Sequence, residues 1–191
     1  LLSAAQKEHK AEAYLAINPR GTVPTLKMGN TTLSQSIAIL AWLDLEFPAV
    51  PLFGETVEDA SLVWQRTMEI FDYLPDATSD VLSPIFFEGV DEATNDLKNA
   101  SAKLRAELLH LTEILGDAPL LSGARPGAAD AVAFPHLRLV QRAAETKPHV
   151  MQSLGLSDLA AISPQIWQWA QRIETLPDVA KTFPPHWAAA A

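Results

Sequence analysis

The 191-residue chain contains no cysteine. That excludes a disulfide framework and any thiol nucleophile within these residues. It also agrees with a reducing compartment, so the expected location is cytoplasmic. Basic residues are scarce: 14 Lys and Arg stand against 23 Asp and Glu, for a net charge of −9. Phosphate neutralisation needs a basic face, so no nucleic-acid partner is expected. No apolar run reaches the ~20 residues that a spanning helix needs, and no membrane partner is expected. The five His, at positions 9, 110, 136, 149 and 186, show no metal-ligand spacing, so no metal is assigned. A Gly-rich phosphate loop, a paired-carboxylate motif and a Ser nucleophile elbow are all missing too.

The chemistry that is present is concentrated between Asn18 and Leu43, in the run NPRGTVPTLKMGNTTLSQSIAILAWL. Asn18-Pro19 and Gly21 mark a loop, because Pro fixes φ and Gly admits positive φ. Val23-Pro24-Thr25-Leu26 reads as extended, since a residue before Pro is pushed out of the α region. Gly29-Asn30 is a two-residue hairpin signal joining a strand over 25–28 to another over 31–33. After Ser34-Gln35-Ser36, the residues Ile37, Leu40, Ala41 and Leu43 recur at helical spacing, and Phe47-Pro48 ends that helix. A helix start thus lies just beyond one strand end and beside the proline-led start of the other. That arrangement suits a small ligand with a peptide-like backbone and a carboxylate.

The stretch 47–57, with two Pro and one Gly, reads as a linker, and nothing beyond it resembles a strand pair. A helix is expected over 58–73 with Leu62, Met68 and Phe71 inward, ending near Pro75, and a further segment over 82–88. Leu97, Leu104, Leu108, Leu111 and Leu115 predict a helix over 93–116, closed by Gly116. Another is expected over 128–144, and Ser163-Pro164 reads as an N-cap followed by a first-turn proline. The architecture is therefore an α/β piece over 1–48 joined to an all-helical domain over 57–191.

The pattern Asn-Pro-x-Gly-x-Val-Pro-Thr-Leu, the hairpin and then Gln-Ser-x-Ala-Ile resembles the glutathione-binding half of the cytosolic glutathione transferases. The linker and helical remainder extend the resemblance over essentially the whole chain. It implies a thioredoxin-like N-terminal domain, lacking its first strand, helix and second strand here, and an all-α C-terminal domain. In that family the catalytic Tyr, Ser or Cys lies in the opening segment. The catalytic residue is thus expected ahead of Leu1, with Leu1-Leu2-Ser3 at the tail of the second strand.

The same resemblance implies roles that compete with plainer ones. Val23-Pro24 is by default an ordinary trans bond at a strand start, whereas the family holds this bond cis and pairs the valine backbone with the cysteinyl part of glutathione. Ser34 or Ser36 is by default a helix cap; by resemblance Ser36 holds the γ-glutamyl carboxylate and Gln35 contacts the same moiety. Arg20 is a candidate for the glycyl carboxylate, and Arg66 for the glutamyl end, with Asp72 reaching it from a second subunit. Trp64, Met68 and Phe71, with Phe86, Phe87 and Trp187, are mostly expected in the core, some of them lining a second-substrate pocket. Asp130 is read as structural, closing back onto the amide of Gly127, which stands where the family has Ser or Thr in a capping box. The expected activity is glutathione-dependent attack on a small hydrophobic electrophile by a homodimer. The alternatives are glutathione-dependent reduction, isomerisation or ether cleavage on the same site, or a non-catalytic binding module.

Overall fold

The computed structural model describes residues 6–188. The chain divides into two compact units, Leu1–Phe53 and Gly54–Ala191. The reading of Leu1-Leu2-Ser3 as a strand end falls outside the described residues.

In the first unit a 3-10 turn (Glu8–Lys10) and a single-turn helix α1 (Glu12–Leu15) lead into the loop around Asn18. Strands β1 (Thr25–Met28) and β2 (Thr31–Ser34) form an antiparallel hairpin in the register Thr25↔Ser34, Leu26↔Leu33 and Met28↔Thr31. Gly29 has φ +57° while Asn30 has negative φ, the pattern of a type II′ turn with glycine at its first central position. Helix α2 (Ser36–Glu46) follows at once and stops at Phe47, as the Phe-Pro pair predicts. The Asp44 carboxylate accepts the amides of Leu52 and Phe53, which ties the following segment back onto α2.

The described residues of the second unit form helices joined by turns and loops, with an isolated bridge between Leu120 and Gly123. Its spine is α3 (Val57–Phe87), packed chiefly against α4 (Asn95–Leu115) and α5 (Ala128–Thr146). Shorter helices α6 (Pro148–Ser153), α7 (Leu159–Ile162), α8 (Pro164–Glu174) and α9 (Pro185–Ala188) complete the unit. Helix α4 buries Leu97, Leu104, Leu108, Leu111 and Leu115, and ends at Gly116 with φ +52°. Ser163 caps α8 by accepting the Ile166 amide at 3.2 Å, and its hydroxyl also meets Thr112 of α4 at 2.7 Å.

Helix α3 corrects the sequence reading twice. It is one helix of 31 residues running through Pro75 and Pro84, where a break near Pro75 is expected from sequence. An interior proline costs about 3 kcal/mol. Against that, the helix buries Ile70, Leu74, Val81, Leu82 and Ile85, at ~1.5–3 kcal/mol for each fully buried side chain, so burial outweighs the two missing amides. The inward face is also displaced: Val63, Thr67, Ile70 and Leu74 are buried, while Leu62 and Met68 are exposed and Phe71 is only half-buried. Trp64, Phe86 and Phe87 are exposed as well, so the expectation that most of these aromatics lie in the core fails. Trp187 is half-buried, with its ring beside Phe183 and within 6 Å of the guanidinium groups of Arg138 and Arg142.

Candidate functional site

The hairpin register brings two of the sequence-predicted segments together. Thr25 pairs with Ser34, so Val23-Pro24, just ahead of β1, and Gln35-Ser36, just beyond β2, emerge at the same end of the ribbon. The Val23–Pro24 bond is cis. Val23 is 62% exposed, and among the described residues its N–H and C=O take part in no hydrogen bond.

At the start of α2 the capping alternative is not realised. Gln35 occupies the N-cap position, and among the described residues no side chain bonds to the first amides of the helix. The first intrahelical bond there runs from the Ile39 amide to the Gln35 carbonyl at 3.1 Å. The amides of Ser36, Ile37 and Ala38 therefore stay available, and the helix dipole adds positive potential at the same point. Gln35 itself holds φ 79°, ψ 119°, a left-handed-side conformation for a residue that has a Cβ. Such a backbone costs on the order of 1–3 kcal/mol and collects at functional sites.

The loop leading to Val23 is braced by a polar cluster that sequence reasoning passed over. Asn18 is 4% exposed. Its Nδ2 donates to the Thr22 carbonyl at 2.8 Å and lies 3.2 Å from the hydroxyls of Thr22 and Thr25, while its Oδ1 accepts the Arg20 amide at 3.2 Å. Tyr14 donates its hydroxyl to the same Thr22 carbonyl at 2.6 Å and sits 2.8 Å from the Thr25 hydroxyl. Lys10 Nζ donates to the Gly21 carbonyl at 2.7 Å. The signal in the sequence is Asn18 with Thr four and seven residues later, which by itself marks only a loop. Arg20 is exposed in this loop, with its carbonyl 3.4 Å from Lys10 Nζ.

The remaining candidates belong to the second unit. Arg66 is half-buried and donates to the Leu121 carbonyl at 3.0 Å, fastening α3 to the segment after α4. Asp72 is exposed on α3. Asp130 is 2% exposed and accepts four hydrogen bonds: from the amides of Leu121 (2.8 Å), Gly127 (3.0 Å) and Ser122 (3.1 Å), and from the Trp169 indole (2.7 Å). Gly127 contributes its amide but has no side chain to return, so only the aspartate half of a capping box forms. His136 is largely buried, and loss of hydration lowers its pKa below the usual 6.5. Among the described residues no three His, Asp or Glu side chains gather in a metal-holding group, and no helix is long and apolar enough to cross a membrane.

Two family models match this chain: the glutathione S-transferase N-terminal domain over residues 1–46 and the glutathione S-transferase C-terminal domain over residues 88–172. The chain belongs to the glutathione S-transferase superfamily. Its first unit belongs to a thioredoxin-like N-terminal domain with a small two-stranded sheet, and its helical unit is the C-terminal domain of the same fold. Among curated relatives, the maleylacetoacetate isomerase of Pseudomonas aeruginosa is 29% identical over 84% of this chain and 76% of its own. Glutathione S-transferase A of Pleuronectes platessa is 25% identical over 98% of this chain and 79% of its own. A solved glutathione S-transferase from the Antarctic clam Laternula elliptica superposes with a TM-score of 0.79 at 28% identity, covering 98% of this chain and 80% of that one.

Proposed function

We propose that this chain binds glutathione at the hairpin end of its first unit and promotes attack of the glutathione thiolate on an electrophilic, apolar second substrate. The observation that carries the reading is the register that sets the free N–H and C=O of Val23 at the same end as the uncapped start of α2. Neighbouring strands lie about 4.8 Å apart, and an extended tripeptide spans at most about 10 Å. One ligand can therefore add a strand-like edge to Val23 while its γ-glutamyl carboxylate reaches the Ser36 hydroxyl and the α2 amides. Such local donors are needed, because glutathione is an anion and the protein carries a net charge of −9. In this reading the Gln35 side chain contacts the same moiety, and its strained backbone supports a functional role for this position. Arg20, Arg66, Trp64, Met68 and Phe71 keep the roles that the resemblance assigns them, as carboxylate contacts or walls of the second-substrate pocket.

A second reading, glutathione-dependent isomerisation, is favoured by the name of the Pseudomonas aeruginosa relative. Conjugation consumes one thiol per turnover, whereas isomerisation returns it. Thiol titration during turnover of a panel of electrophiles and of cis-dienone acids tests both readings. Loss of free thiol in step with product supports conjugation. Product without thiol loss moves the assignment to isomerisation.

The proposed active species is a homodimer in the cytoplasm. The exposed Leu62, Trp64, Met68 and Tyr73 of α3, with Leu45 of α2, supply apolar surface for association. Sedimentation at micromolar concentration is expected to give a dimer, and a monomer there refutes this part of the proposal.

A further inference from the structure

The Thr22–Val23 peptide is gripped by its carbonyl. Tyr14 Oη donates to that oxygen at 2.6 Å and Asn18 Nδ2 at 2.8 Å, while Thr25 Oγ1 lies 3.4 Å away. A carbonyl oxygen offers two lone pairs, so the two short bonds saturate it. Both donors are themselves fixed. Asn18 is buried and holds the Arg20 amide through Oδ1, and Tyr14 Oη is braced against Thr25 Oγ1 at 2.8 Å. The Thr22–Val23 bond is trans, since the cis bond lies one residue on. In a planar trans peptide the N–H points opposite to the C=O, so pinning the Thr22 carbonyl fixes the direction of the Val23 N–H. Two donors on the carbonyl also polarise the amide and make its N–H a better donor. That N–H has no partner among the described residues.

Holding the loop in place does not require this arrangement. The adjacent turn is already closed by the Gly21 amide on the Asn18 carbonyl at 2.8 Å and by Lys10 on the Gly21 carbonyl. The Tyr14 and Asn18 donors converge instead on the single peptide whose other edge faces solvent. We infer that Tyr14 and Asn18 are positioning residues that set the Val23 N–H as a pre-oriented donor for the cysteinyl carbonyl of glutathione. The inference rests on the proposed glutathione site. It deepens that proposal by assigning ligand orientation to two side chains that reach the ligand through the Thr22 carbonyl.

The test is calorimetric titration of the protein and its Tyr14→Phe variant with two ligands: glutathione, and the isostere in which an (E)-alkene replaces the cysteinyl–glycyl amide. Tyr14→Phe keeps the ring and removes the neutral hydrogen bond to the Thr22 carbonyl, together with the contact to Thr25 Oγ1, so the Kd for glutathione should rise roughly three- to ten-fold. The Kd for the isostere, which has no cysteinyl carbonyl, should stay within two-fold. In turnover, the KM for glutathione should rise while kcat at saturating glutathione holds. Lys10→Met, which loosens the same loop through Gly21, should leave both Kd values within two-fold. An unchanged glutathione Kd in Tyr14→Phe, or an equal rise for both ligands, overturns the inference while leaving the glutathione site standing. Absence of glutathione binding to the unaltered protein overturns the functional reading itself, and the inference with it.

Discussion

Replacing Asp130 by Ala removes four hydrogen bonds at once, and the structure indicates how much that costs. The donors left behind are the amides of Leu121, Ser122 and Gly127 and the indole N–H of Trp169. Leu121 and Trp169 are fully buried, so water does not replace the carboxylate at those two. Each stranded donor costs about 1–3 kcal/mol. The Gly127 bond adds a cap loss of ~0.5–2 kcal/mol, and Ser122, being partly exposed, recovers some of its cost from solvent. These contributions share one carboxylate and do not add, and single substitutions rarely exceed about 5 kcal/mol, so the expected loss is ~4 kcal/mol. Urea unfolding at neutral pH measures it through the midpoint at unchanged m-value. Asp130→Asn retains one acceptor oxygen and should lose roughly half as much. A loss below ~1 kcal/mol for Asp130→Ala would refute the view that this carboxylate holds the segment 121–127, α5 and α8 together.

Three further expectations follow from other elements. Burial lowers the His136 pKa below 6.5, so as the pH falls the unfolded chain takes up that proton first; stability should decline below about pH 6.5 until the folded form titrates too. His136→Gln should flatten that part of the stability–pH profile, and an unchanged profile refutes it. Gln35→Gly relieves a positive φ, so the unfolding free energy should hold or rise by up to ~1 kcal/mol while glutathione affinity falls; a gain in affinity contradicts the role given to the Gln35 side chain. Thr67→Val should change stability by less than ~1 kcal/mol, because the Thr67 hydroxyl only returns to the Val63 carbonyl of its own helix at 2.6 Å, and a larger loss shows a missing partner.

That threonine also explains where the sequence misleads. The hairpin, the helix after it, the leucine face of α4 and the Ser163-Pro164 start of α8 are legible because local chemistry decides them. The buried stripe of α3 is not, since it includes Thr67 and Thr78, which read as polar. Each satisfies its hydroxyl on the carbonyl four residues back and then packs as an apolar group. With those positions discounted, the apolar pattern shifts onto Leu62 and Met68, which are exposed. Pro75 likewise reads as a stop, because the burial that outweighs its missing amide comes from α4 and α5. At the candidate site, the Val-Pro and Gln-Ser segments are visible as motifs. The Tyr14 and Asn18 grip on the Thr22 carbonyl is not, because it depends on how the loop folds back. The partners that Asp130 has beyond Gly127 are the amides of Leu121 and Ser122, in the turn ahead of α5, and the Trp169 indole, 39 residues on, and helical spacing reveals none of them.

The central claim, that the start of α2 holds the γ-glutamyl carboxylate, is tested most directly by calorimetric titration of glutathione into the protein and its Ser36→Ala variant. The substitution deletes one charge-assisted hydrogen bond of about 1.5–3 kcal/mol and leaves the helix amides in place. Since the Ser36 hydroxyl caps nothing among the described residues, thermal stability should be retained while affinity falls roughly ten- to a hundred-fold. Equal affinity in the two proteins would contradict the account.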